Sequence, residues 1–89
     1  MNIAGKIVKN IIGDSYSKNN KSYKVGSKVK FNYDITLDDR NKNDRAIQGS
    51  IGVITQIDKT SEYPYYVKFK NANGKLDVRV FTDNDISLI

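Results

Sequence analysis

The 89-residue chain has no cysteine, no histidine and no tryptophan, and a single proline, Pro64. Without cysteine no disulfide forms, and the composition suits a reducing compartment. With neither Cys nor His, the usual ligands of structural zinc are missing. The lack of His also removes the commonest general base. Ser, Thr, Lys and Asp occur, but none lies beside an identifiable base, so the chain is expected to be neither an enzyme nor a cofactor binder. No apolar run approaches the ~20 residues that span a bilayer. The start of the chain carries Lys6 and Lys9 without the apolar stretch of a signal peptide, which points to a cytoplasmic protein with no membrane partner. Asp34, Asp38, Asp39 and Asp44 lack the ligand spacing and turn glycine of a calcium loop, and Arg40, Lys42 and Arg45 interrupt them. No metal site is expected.

What is present fits one small domain with a thin core, since a chain this short buries only about 60% of its unfolded surface. Hydrophobic residues make up 38% and charged residues 28%, which is polar but sufficient to fold. The net charge of +5 is unevenly placed. Residues 1–33 carry seven Lys and one Asp, a balance of +6, which leaves −1 for the rest. Such asymmetry marks either a polyanion-binding surface or the ordinary charge of a soluble, Lys- and Asn-rich protein.

The sequence is organised around Gln48–Asp58. Two glycines, Gly49 and Gly52, precede a run rich in Ile, Val and Thr, which suits a central strand entered through a bend or bulge. Residues 1–23 form a separate N-terminal segment. There Ile3, Ile7, Val8, Ile11 and Ile12 fall at helical spacing opposite Lys6, Lys9 and Asn10, with Gly13-Asp14 as a stop. Their β-branching equally allows a strand over 5–12. A helix here would pack on the domain core, because it is short and lacks Trp and Phe. Residues 15–22 read as a polar linker.

From Tyr23 the pattern is β. Val29, Phe31 and Tyr33 alternate with Lys28, Lys30 and Asn32. Residues 34–48, with eight consecutive polar residues from Asp38 to Arg45, read as an exposed loop, either functional or disordered, in which Asp38–Asp44 lacks an apolar anchor and is expected to be mobile. After the Gly49–Asp58 strand and a connection at 59–62, Tyr65, Val67 and Phe69 alternate with Tyr66, Lys68 and Lys70. Asn73-Gly74 signals a hairpin. Leu76, Val78 and Val80 then alternate with Lys75, Asp77 and Arg79, before a tight turn at 81–85 and a short closing strand. The expected core is Val29, Phe31, Ile51, Val53, Val67, Phe69, Leu76, Val78 and Ile86.

Val25-Gly26-Ser27-Lys28-Val29, the Gly49–Ile57 strand and the acidic turn before Ile86-Ser87-Leu88 together resemble small SH3-like barrels, particularly the KOW and Tudor-like group. The resemblance covers residues 24–89. It implies a mainly β fold, an SH3-like five-stranded antiparallel barrel, to which the N-terminal segment adds a short helix or an extra strand. Members of that class bind nucleic acid, peptides, modified side chains or other subunits, so the fold does not choose the function. The chain lacks the Trp of a proline-peptide groove. Tyr63, Tyr65 and Tyr66 do not suit an aromatic cage, since Tyr65 should point inward and Tyr66 outward, and Tyr63 and Tyr65 read as core or rim packing.

One constellation stands out. With Phe69 and Val78 inward, Tyr66, Lys68, Lys70, Lys75 and Arg79 share the outer face of a hairpin, and Lys28 and Lys30 add the same sign from the first strand. Cations beside an exposed aromatic suit phosphate contact and base stacking. An ordinary wet face, with Lys discouraging edge pairing, fits equally. Arg40, Lys42 and Arg45 form a second, loop-borne candidate. The function expected is therefore a small binding module for nucleic acid. The alternative is a protein-interaction module or an inhibitor of a host macromolecule, as a phage or mobile-element product would be.

Overall fold

The computed structural model describes residues 12–13, 15–18 and 21–89, with side chains from residue 22 onward. The expectation of a helix from Ile3 to Ile12 or a strand over 5–12 lies outside them, Ile12 apart. The described residues are mainly β and contain no helix, so no helix long and apolar enough to cross a membrane occurs among them. Ten strands follow in order: β1 (Ile12–Gly13), β2 (Ser15–Lys18), β3 (Lys21–Lys24), β4 (Lys28–Phe31), β5 (Ile35–Thr36), β6 (Arg45–Ala46), β7 (Ile51–Asp58), β8 (Tyr65–Lys70), β9 (Leu76–Phe81) and β10 (Ile86–Leu88).

The main sheet is antiparallel, in the order β10-β4-β7-β8-β9, with β1 added beside the far end of β7. Two small hairpins, β2–β3 and β5–β6, lie off this path. The five expected strands are therefore all present, but the barrel does not close: β9 and β10 remain the two edges and do not pair with each other. β10 is only three residues long. On β9 the backbone N–H of Val78 is already occupied, donating to Asp77 Oδ1 at 2.9 Å.

Two further expectations are corrected. Gly13, read with Asp14 as a helix stop, pairs in β1 beside Ile12, the last residue of the strand reading, and Ser15–Lys18, read within a polar linker, is the strand β2. In β2–β3, Tyr16 stands opposite Tyr23 in register. The segment 34–48, read as an exposed loop, contains the β5–β6 pair and is held at its two ends by Leu37 N–H to the Asp44 carbonyl at 2.9 Å and by the packing of Ile35, Leu37 and Ala46 on the core, with the polar stretch Asp38–Asp44 between them.

The core lies on the inner face of the sheet. Phe31, Phe69 and Phe81 meet edge to face, with centroids 4.9–5.6 Å apart. Tyr23 lies 4.5 Å from Tyr65. Val29, Ile54, Ile57, Val67 and Ile86 complete the layer. Three turns need positive φ, and glycine supplies it at Gly26, Gly49 and Gly74. At Gly74 the hairpin closes through Gly74 N–H to the Asn71 carbonyl at 2.8 Å. Gly52 serves differently: a Cβ there would lie 2.4 Å from Val67 Cγ1, so the close approach of β7 to β8 requires glycine.

Candidate docking surface

The outer face is set by register. Lys28 pairs with Val53, Val53 with Lys68, and Lys68 with Val78, so one row across four strands reads Lys, Val, Lys, Val. Beside it, Ser87 faces Lys30 and Lys30 faces Ile51, while Lys70 faces Leu76. On the other side Gln56 faces Tyr66, which faces Val80. Cross-strand partners point to the same side. The face is therefore striped along the strands: a Lys column on β4, an aliphatic column on β7, a Lys column headed by Tyr66 on β8, and an aliphatic column on β9. No Asp or Glu stands in these rows.

The aliphatic columns correct the expected core. Ile51, Val53, Leu76 and Val78 are exposed, Leu76 by 70% and Ile51 by 50%, and Val80 joins them. On β7 the inward residues are Gly52, Ile54 and Ile57, and a bulge between Ile54 and Gln56 keeps both isoleucines inside. On β9 the phase is fixed by Phe81, which is 1% exposed and sits opposite Tyr65. Its period-two neighbours Arg79 and Asp77 must then point inward with it.

That placement removes Arg79 from the candidate site. Its guanidinium contacts Asp44 at 3.2 Å and Asp77 at 3.0 Å. Asn71, 3% exposed, donates to Asp44 Oδ1 at 2.6 Å and accepts from Arg45 N–H at 3.0 Å. The 34–48 segment thus supplies the carboxylate that makes a charged inner position on β9 tolerable. Burial acts to lower the Arg79 pKa, but the bonds to Asp44 and Asp77 outweigh it and hold the group protonated.

The remaining site residues fall as follows. Lys28, Lys30, Lys68 and Lys70 are exposed on the outer face, and Tyr66 is half-buried there. Lys75 is exposed in the β8–β9 turn, its N–H bonded to Asn73 Oδ1 at 3.0 Å. The structure does not bring Arg40, Lys42 and Arg45 onto this face. Arg40 pairs with Asp38 at 3.2 Å, and that contact holds the Asp38 carboxyl below its ordinary range. Arg45 donates to the Lys42 carbonyl at 2.7 Å. Among the described residues all three arginines are thus engaged, whereas the four outer-face lysines form no ion pair. Of the three clustered tyrosines, Tyr65 is buried and Tyr63 exposed, so no cage forms.

Sequence reasoning missed Ile51, Val53, Leu76, Val78 and Val80 as surface residues. The available signal was Phe81, whose parity places Asp77 and Arg79 on its own side. No protein-family model matches the chain, and neither does any curated protein or solved structure.

Proposed function

We propose that this protein is a non-enzymatic binding module that docks a protein partner through the striped outer face of its sheet. The observation that carries this reading is the exposure of β-branched and leucine side chains in two columns, one on β7 between the lysine columns and one on β9 beside them. Scattered exposed apolar residues are ordinary, but a contiguous set marks an interaction surface. Nucleic-acid binding, the first expectation, needs phosphate contacts and surfaces for base stacking. The face offers lysines, but among the described residues only one half-buried aromatic, Tyr66, beside the exposed aliphatic side chains of Ile51, Val53, Leu76, Val78 and Val80. A strand order that sets the closing strand β10 beside the opening strand β4 supports an SH3-like arrangement for this module.

The test pairs two double variants. Val53→Ser with Val78→Ser removes aliphatic contact, and Lys68→Gln with Lys70→Gln removes charge. Stoichiometric, nuclease-insensitive capture of one protein, abolished by the serine pair, is the expected result. Salt-dependent DNA or RNA binding, lost in the glutamine pair and untouched in the serine pair, would restore the nucleic-acid reading.

A further inference from the structure

Resting on the protein-docking reading, we propose that the occupant of the striped face is an acidic protein surface whose carboxylates alternate with aliphatic side chains, rather than a second copy of this chain or a neutral apolar patch. Charge complementarity carries the argument. Lys28, Lys30, Lys68 and Lys70 stand on β4 and β8 with no acidic residue in their rows and no ion pair among the described residues. The β9 carboxylate of Asp77, and that of Asp44 from the 34–48 segment, lie on the other face and are paired there with Arg79.

The spacing is equally restrictive. Adjacent strands lie about 4.8 Å apart, so the two lysine columns are separated by about 10 Å with the β7 aliphatic column between them. An occupant must place apolar groups on β7 and β9 while offering anions to β4 and β8 on either side of β7. A face-to-face second copy would bring eight lysines together with no counter-charge, an arrangement that like-charge repulsion disfavours. Strand addition at the β9 edge is also obstructed, because the Val78 N–H that a new strand would need is donated to Asp77 Oδ1. That bond disfavours the β9 edge and favours the face as the route.

Interfaces of this kind bury apolar groups at the centre and use charge for steering and register. The probe is a set of three helical peptides tested on the full chain: one interleaving Glu and Leu along one side, a second with every Glu replaced by Gln, and a third with every Leu replaced by Ser. Amide chemical shifts report the location, alongside a duplex DNA titration and light scattering. The Glu/Leu peptide is expected to move the signals of Ile51, Val53, Lys68, Lys70 and Val78, and to bind about tenfold more tightly than either control, a difference of about 1.4 kcal/mol. Lys68→Gln with Lys70→Gln should erase the advantage over the Gln peptide and leave the shift dispersion of the inner face unchanged. Equal binding of the Glu and Gln peptides at this face would overturn the acidic partner while leaving protein docking intact. Duplex DNA binding there in preference to all three peptides would overturn both. A concentration-dependent dimer that shifts these same signals, or no peptide binding up to about 1 mM, a level worth about 4 kcal/mol, would overturn the acidic partner.

Discussion

On β8 the alternation runs apolar inward and charged outward: Tyr65, Val67 and Phe69 are buried, and Lys68 and Lys70 are exposed. On β9, paired with it residue by residue, it runs the other way. Arg79 lies opposite Val67 and Asp77 opposite Phe69, while Val78 and Leu76 face water beside the lysines. The two strands have the same period and similar composition, yet opposite phase. The difference teaches that a strand's phase follows its strongest anchor and the partners available on each side. On β8 three large apolar groups agree. On β9 Phe81 joins the phenylalanine cluster, and Asp44, Asp77 and Asn71 accommodate Arg79. The fold does not need Leu76, Val78 and Val80 in its core, which leaves them exposed on the outer face.

The largest expected effect breaks the β8 side. Phe69→Ala should cost about 3–5 kcal/mol in urea unfolding, since it empties the centre of the aromatic cluster. Val78→Ala on β9 should change the midpoint little, within about 0.5 kcal/mol. Comparable losses at the two sites would mean that both strands share one phase. Next comes Gly52→Ala, at about 1–3 kcal/mol, because the new methyl would collide with Val67 and the Lys68 carbonyl. An unchanged melting temperature would show that β7 and β8 are less closely packed than their register implies. Arg79→Met should cost about 1–2 kcal/mol by stranding Asp44 and Asp77, discounted because the guanidinium is partly exposed. A neutral or stabilising result would assign the phase of β9 to Phe81 alone.

A smaller effect separates the core from its rim by pH. The Tyr23 phenol is raised above its ordinary value first by burial and then by the charge of Asp83. Tyr33 is raised by its hydrogen bond to Asp85, then by burial and by the Asp85 charge. For a group whose pKa is higher folded than unfolded, the stabilisation is complete below the unfolded value and is lost as pH rises through the folded one. The urea midpoint should therefore be flat from about pH 7 to 9 and fall above about pH 10, the ordinary phenol range. Tyr33→Phe should shrink that alkaline fall and leave the neutral midpoint nearly unchanged. An undiminished fall would leave the pH dependence to Tyr23.

Much of this was legible in the sequence. The strands around Val29, Gly49–Asp58, Val67, Val78 and Ile86 fall where period two, Asn73-Gly74 and Pro64 place them, because turn chemistry and alternation are local. The inward residues of β4 and β8 were legible too, since each strand has one apolar face and one lysine face. The phases of β7 and β9 were not. Both sides of β7 are apolar, and Gly52 declares its inward position only once Val67 is known to press on it. The aliphatic set on β9 outnumbers the single Phe81, and the group that balances Arg79 comes from Asp44, 35 residues away in sequence. The outer face is therefore half-legible: alternation turns the lysines of β4 and β8 outward as the structure has them, whereas it puts the exposed Ile51, Val53, Leu76 and Val78 in the core and Arg79 on the surface.

The central claim is that β9 turns its aliphatic residues to water and its charged residues inward. Solvent paramagnetic relaxation of side-chain signals, with a soluble gadolinium chelate, measures this directly. The methyls of Val53, Val78 and Val80 should relax several-fold faster than those of Val29 and Val67, which are buried. Protected Val78 and Val80 methyls, with Arg79 side-chain signals relaxing at the rate of Lys68, would contradict it.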